Sequence, residues 1–311
     1  MRSADEVLAA VRATGLLGAD APVLVLLSGG RDSTCLVDLA VRLSGGASAL
    51  HVNYGLRPDS DADEAHCRAL CERMGLEVVV HSARRPEDAP GNLHAWARDV
   101  RYGEAARVAG GGIVAVGHTA TDQAETILYR LATSPGRRAL LGMRPRSGQL
   151  VRPLLGITRE ETATWCRARG LAWREDASNE AERFARARVR TGLVPALEAV
   201  DGRALANVVR TAHLLREEAE VLDVVVDTAL AGRDRIALEH LGALPTALAR
   251  LVVRRLAEAA TGGLCARAAT RVDDILALGA SGALDVGDGA RAVVEGGVLR
   301  FTRTPSAARR A

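Results

Sequence analysis

Short apolar runs alternate with amphipathic stretches along the first 131 residues, and this alternation limits the fold more than any other feature. Residues 23–27, 49–53, 77–81 and 112–116 are rich in Val, Ile and Leu. Helical spacing fills the gaps over residues 33–43, 60–74, 92–109 and 122–131. Strands that alternate with helices predict parallel βαβ units, hence an α/β fold with a doubly wound, mostly parallel sheet. Ligands of such sheets bind at the carboxyl ends of the strands. No apolar run approaches the length of a membrane span. The first six residues carry acids and no apolar h-region, so no signal peptide is expected.

The second half reads differently. Leu205, Val208, Ala212, Leu215, Ala219, Leu222, Val226 and Ala229 step by three and four, which predicts a long amphipathic helix with a narrow seam. The seam reads as the core of a smaller, mainly helical C-terminal domain. Two copies could also pair along it as a homodimer, weakly, because its alanines are small. Further helices are expected near residues 245–260 and 267–279, and residues 292–301 read as a β-hairpin with a Gly-Gly turn. The expected division is 1–200 and 201–311, with a frayed tail from residue 303.

All 41 basic residues are arginine, and the chain has no lysine. A GC-rich coding bias explains this, yet it excludes a Walker-type lysine. Any phosphate contact must use Arg, a backbone N–H or a hydroxyl. The net charge of +3 hides a gradient: residues 131–190 hold 13 Arg against 6 Asp and Glu, whereas residues 1–130 hold 13 against 17. The basic block, with Arg137, Arg138, Arg144 and Arg146 in its first part, is a candidate polyanion surface. Its alternative is a solvated arginine face. At 3% aromatics the chain has no broad base-stacking platform, and Trp96, Trp165 and Trp173 read as core residues. Five cysteines with no C-x-x-C pair fit a reducing cytoplasm and argue against disulfides or an iron–sulfur centre. Cys67 and Cys71 are placed on one helix face as packing residues.

The strongest local signal is Leu27-Ser28-Gly29-Gly30-Arg31-Asp32-Ser33-Thr34, between a buried strand and a helix. Its glycines let the backbone turn and approach a ligand. The helix start offers unpaired N–H groups and a positive dipole end. With the Ser28 and Ser33 hydroxyls, this can cradle a pyrophosphate without lysine. Asp32 would repel a phosphate directly but suits a Mg²⁺ ligand that bridges to phosphate oxygens. Asp122 and Glu125 share a face at the start of a later helix. There they act either as capping acids or as a metal or base site. Arg186, Arg188 and Arg190 offer guanidinium forks for phosphate.

The loop resembles the PP-loop of the N-type ATP pyrophosphatases, which split ATP between the α- and β-phosphates. The resemblance narrows along the chain. His51-Val52-Asn53-Tyr54-Gly55-Leu56-Arg57, Asn92 through Arg98-Asp99-Val100-Arg101-Tyr102, and Gly117-His118-Thr119-Ala120-Thr121-Asp122-Gln123-Ala124-Glu125-Thr126 come first. Arg152-Pro153-Leu154-Leu155, Asp176-Ala177-Ser178-Asn179 and Arg186-Ala187-Arg188-Val189-Arg190 follow. Their order is similar to that of the tRNA(Ile)-lysidine synthetases over about residues 22–200.

That resemblance implies ATP and Mg²⁺ as cofactors, and a tRNA(Ile) with a CAU anticodon and free L-lysine as substrates. Lysine would join C2 of the wobble cytidine through an adenylated intermediate. It also implies roles. Ser28, Gly29, Gly30, Arg31, Asp32, Ser33, His51, Asn53 and His118 would bind the nucleotide. Asp32 and Asp122 would hold the metal. Asp32, Asp122, Arg186 and Arg190 would act in catalysis, and the C-terminal domain would bind tRNA. Thr121 and Thr119 stand where the family usually has a second aspartate and a second histidine, and Tyr54 where a histidine is frequent. The competing readings are another PP-loop tRNA-modifying enzyme, such as a thiolase, and a non-catalytic ATP- or tRNA-binding homologue.

Overall fold

The alternating pattern folds into a six-stranded sheet: β1 Val23–Leu26, β2 Ala47–Asn53, β3 Glu77–Ser82, β4 Ile113–Ala115, β5 Arg146–Ser147 and β6 Leu150–Val151. The order is β3-β2-β1-β4-β6-β5, parallel throughout except for the edge strand β5. This is a computed structural model, which describes residues 1–86, 91–134, 136–175 and 185–305. All four residues of β1 are buried, as expected where helices cover both faces. Strand alternation sends Val23 and Val25 into one core and Leu24 and Leu26 into the other. The chain builds β2 and β3 on one side of β1 and β4 on the other. The β1/β4 junction is therefore the topological switch point, where a crevice opens beyond the strand ends.

The helices of this part are α1 Ala4–Ala13, α2 Arg31–Leu43, α3 Ser60–Met74, α4 Leu93–Ala109, α5 Ala120–Thr133, α6 Arg137–Leu140, α7 Arg159–Ala168, α8 Ala185–Arg188 and α9 Val194–Val200. Helices α1, α2, α3 and α7 pack on one face through Val7, Leu36, Leu39, Leu70 and Trp165. Helix α4 covers the other through Tyr102 and Ala105. Ser3, Thr119 and Thr158 open α1, α5 and α7 with capping boxes. Gly30 opens α2 with no side-chain cap. A π-helical turn, Val189–Leu193, links α8 to α9. Arg190 lies on this turn, which is wider than an α-helical one.

A 27-residue helix, α10 Ala204–Leu230, follows. The chain divides into two compact units within it, Met1–Leu215 and Arg216–Ala311, whereas the sequence reading divides at residue 200. The seam is visible as a burial pattern: Ala212 and Val226 are buried, while Leu214, Val221 and Val224 are exposed.

The second unit adds β7 Arg235–Ala237, α11 Leu238–Ala243, α12 Thr246–Thr261, α13 Val272–Leu276, β8 Gly282–Gly287, β9 Ala290–Glu295 and β10 Val298–Arg303. The expected hairpin is β9–β10, turned by Gly296 and Gly297 at φ 58° and 74°. It is the centre of an antiparallel sheet ordered β7-β10-β9-β8 rather than a hairpin alone. Three-residue β7 and Gly/Asp-containing β8 carry too little apolar alternation to show in the sequence. Val253, Leu256, Leu299 and Phe301 join the α12 face to this sheet. Among the described residues, no helix is long and apolar enough to cross a membrane.

Candidate active site

The phosphate loop sits at the switch point. Ser28 follows β1, and its backbone N–H donates to Ser33 Oγ at 3.2 Å. The two hydroxyls lie 3.0 Å apart, and Ser33 Oγ donates to Gly30 O at 2.9 Å. Gly29 has φ +82°, a left-handed conformation, and a Cβ there would lie 3.2 Å from Cys67 Sγ. Gly117, just beyond β4, passes so close that a Cβ would lie 3.1 Å from Asp32 C and O and Ser33 N. Both sides of the crevice thus meet at the start of α2, whose first-turn N–H groups receive no side-chain cap.

Three carboxylates converge from α2 and α5 on one arginine from α7. Arg159 lies 2.7 Å from Asp122, 3.6 Å from Glu125 and 3.8 Å from Asp32. The Thr162 hydroxyl, one turn further along α7, donates to Asp32 Oδ1, which Arg31 Nε also approaches at 3.1 Å. Helix α7 is held against α2 by Asp38, which accepts from buried Trp165 Nε1 at 3.0 Å and from Arg42 Nε at 2.9 Å. Arg159 and Thr162 had no signal in the sequence beyond their proximity to the Arg152–Leu155 motif. Their carboxylate partners are 34 to 130 residues away.

Asp122 is doubly committed. Its Oδ2 accepts from the Thr119 N–H and hydroxyl, both at 2.8 Å, and its Oδ1 accepts from Arg159. The capping role is thus real, and Thr119 is what makes it. Burial raises the pKa of Asp32 from its ordinary value, with Asp122 adding to the rise, against the lowering by Thr162 and Arg31. A carboxylate in that state favours a nearby cation. Among the described residues no three His, Cys, Asp or Glu side chains gather as a metal cage. Mg²⁺ is commonly held by one or two carboxylates together with phosphate oxygens and water. Asp32 fits that pattern, and Asp122 fits it less well because both its oxygens are engaged.

The cleft has a volume of about 440 Å³ and is lined by Ser28, Gly30, Arg31, Asp32, Ser33 and His118, as well as by Leu26, Leu50, Val52, Tyr54, Arg101, Tyr102, Arg159, Trp173 and Arg174. His51 and Asn53 do not line it. On β2 the apolar residues Leu50 and Val52 face the cleft, and the alternating polar pair faces the other way. His51 lies 2.9 Å from Leu27 O through Nδ1, and Asn53 donates to Asp61 and Glu64 at 3.0 Å. Both brace the loop from outside. Gly29 is bonded through its carbonyl to the Arg174 N–H at 3.0 Å. Tyr54 donates to Ala97 O at 2.9 Å and packs edge-on against Trp96. Trp165 is core as expected, whereas Trp173 lines the cleft. Arg190 lies on the π turn and is not among the lining residues. The Arg186 side chain and Asp176–Asn179 lie outside the described residues.

His118 has a fixed protonation state. Arg152 Nε donates to its Nδ1 at 3.3 Å, so Nδ1 accepts and Nε2 carries the proton. Burial lowers its pKa to about 4; Asp122 opposes this, and Arg152, Arg101 and Arg98 reinforce it. The side chain is therefore a neutral N–H donor near pH 7. An unfolded histidine titrates near 6.5, so the folded state binds fewer protons between the two values. Stability is complete above pH 6.5 and falls as the pH drops toward 4, by about 3 kcal/mol. Denaturant midpoints measured from pH 7 to 4 should show this loss, and His118→Gln should flatten it. A variant with the same acid slope as the wild type would refute the assignment.

A family model described as a PP-loop domain matches residues 6–197. A tRNA(Ile)-lysidine synthase of Nocardia farcinica is 39% identical over 243 residues, covering 77% of this chain and 76% of that protein. One from Solibacter usitatus is 38% identical over 263 residues, covering 80% of this chain. The chain spans 59% of the length of that relative. Among solved structures, the U34-tRNA thiolase NcsA from Methanococcus maripaludis, which has a [4Fe-4S] cluster, matches with a TM-score of 0.57 at 19% identity, covering 68% of this chain and 78% of that one. At that identity it speaks for the fold alone. By its sequence the chain belongs to the PP-loop family and, within it, to the tRNA(Ile)-lysidine synthases.

Proposed function

We propose that this protein joins free L-lysine to C2 of the wobble cytidine in a CAU-anticodon tRNA(Ile), using ATP. The reading rests on one observation above all: a lysine-free phosphate loop on α2 lines a cleft together with Arg159, the arginine that pairs with the Asp122 and Glu125 carboxylates of α5, in a chain 39% identical to a lysidine synthase. The α2 N-terminus, Ser28 and Ser33 would hold the pyrophosphate part of ATP. Leu26, Leu50 and Val52 offer the apolar surface suited to a base. His118 would donate its Nε2–H to an oxygen that gains charge during adenylation. Arg186 and Arg190 remain candidates for holding phosphate as adenylation proceeds. Mg²⁺, when bound at Asp32, would neutralise charge on the phosphates.

The two carboxylates of α5 have a distinct task. Free lysine has a side-chain pKa of about 10.4, so near pH 7.4 only about one molecule in a thousand is a neutral nucleophile. A carboxylate that binds the ammonium and accepts its proton offsets that deficit. Asp122 is our candidate base, with Glu125 beside it. The second unit, from residue 216, would contact the tRNA.

Incubation with ATP, labelled lysine and a CAU-anticodon tRNA transcript tests the reading. The expected result is incorporation of one lysine per tRNA with release of AMP and pyrophosphate. ATP cleavage indifferent to lysine would replace this reading with another PP-loop modification. Binding without turnover would replace it with a non-catalytic role.

A further inference from the structure

We infer that Arg98, Arg101 and Arg152 form a second anion subsite of the cleft, which takes backbone phosphates of the RNA beside the nucleotide being modified. This rests on the tRNA reading above and assigns a contact that the reading lacks. The three guanidinium groups surround Tyr102 and His118. Arg98 Cζ lies 4.7 Å and Arg101 Cζ 5.3 Å from the Tyr102 ring centroid. Arg152 is 8% exposed, and its side chain donates only to neutral acceptors, His118 Nδ1 at 3.3 Å and Arg144 O at 2.7 Å. Arg101 Nε is buried with no hydrogen-bond partner among the described residues. No carboxylate among them makes an ion pair with any of the three.

Elsewhere the chain compensates its cleft and core arginines. Arg42 pairs with Asp38, Arg159 with Asp122, and Arg174 with Asp63. A buried cation without a counterion is unfavourable, and like charges gathered beside one another repel. Such a cluster becomes favourable when an anion completes it. The local potential is strong enough to act on its neighbours. It reinforces the effect of burial in lowering both His118 and Arg152.

The anion is identified by where the charges stand. Arg98 is exposed, Arg101 is half-buried and lines the cleft, and Arg152 is buried. This series runs inward from solvent, which suits a chain of successive phosphates. The phosphate loop on α2 already serves the triphosphate. A single amino-acid carboxylate would neutralise one charge of three. Guanidinium forks on phosphate and sugar positions fix register rather than read sequence, as an enzyme that draws one nucleotide into a cleft requires.

The test compares wild type with Arg98→Gln, Arg101→Gln and the double variant. Affinity for the CAU-anticodon tRNA is measured across a salt series, with ATP affinity and the lysine KM in parallel. Each substitution should weaken tRNA binding by about tenfold. It should also reduce the slope of log K against log salt by about 0.7 to 0.9 per phosphate lost. ATP affinity should hold. Unchanged tRNA affinity and slope in variants of a tRNA-binding wild type would overturn this inference alone. Loss of ATP affinity with tRNA binding intact would assign the cluster to the triphosphate, and a change confined to lysine KM would assign it to the amino-acid carboxylate. A wild type that binds no tRNA would overturn the functional reading and this inference together. Melting temperatures within a few degrees of wild type would exclude unfolding as the cause.

Discussion

Asp32→Ala should lower pyrophosphate release by about a thousandfold or more while leaving tRNA binding intact. The expectation follows from the place of the side chain. Asp32 opens α2, beside the uncapped N–H groups that would receive phosphate. Its Oδ1 is fixed by the Thr162 hydroxyl and Arg31, and its Oδ2 lies 3.8 Å from Arg159. Burial raises its pKa, so its charge is costly to keep and is retained where a cation benefits from it. Asp32→Asn separates charge from shape, because the amide oxygen can still accept from Thr162. Both variants should fail alike if charge is what matters. Release at a rate near wild type in Asp32→Asn would sink the metal assignment, and recovery on raising Mg²⁺ would strengthen it.

The phosphate loop was legible because all its parts are contiguous. Ser28, Gly29, Gly30, Asp32 and Ser33 lie within six residues between an apolar run and a helix. The sheet was legible because β1, β2 and β4 are apolar runs separated by helical spacing. The partners of the loop were not. Arg159 and Thr162 reach Asp32 only because Asp38 and Trp165 lock α7 onto α2 across 127 residues of chain. No local pattern encodes that. His51 and Asn53 show a different limit. The resemblance implied that they bind the nucleotide, yet α3 packs on their side of β2 and supplies Asp61 and Glu64 to Asn53. The phase of a strand with both faces covered is set by its neighbours, not by its own alternation. In the second unit, β7 and β8 gain their strand character from pairing with β10 and β9. Thr119 was readable as a departure from a family pattern. That it donates to Asp122 and so completes a capping box needed the geometry.

Glu125→Gln and Asp122→Asn should each slow lysine transfer by about 100- to 10,000-fold while sparing most of the adenylation step. Pyrophosphate release with tRNA and ATP alone should therefore persist. The pH dependence distinguishes a base from a scaffold. Without its carboxylate the enzyme depends on lysine that is already neutral, whose fraction rises tenfold per pH unit below about 10.4. Transfer by the variants should climb along that slope between pH 7 and 9, while wild type should level off. The two carboxylates are not equivalent. Asp122 holds the start of α5 through Thr119, so its replacement also weakens a cap, at a cost of about 1 kcal/mol. Its amide nitrogen would also face the Arg159 guanidinium, donor against donor. Glu125 meets Arg159 at 3.6 Å and has no such capping duty. A steep pH rescue in Asp122→Asn with a flat profile in Glu125→Gln would name Asp122 as the base. The reverse would move that role to Glu125 and leave Asp122 to orient α5 and Arg159. Equal loss of pyrophosphate release and lysine transfer, with no rescue in either variant, would remove both from proton transfer.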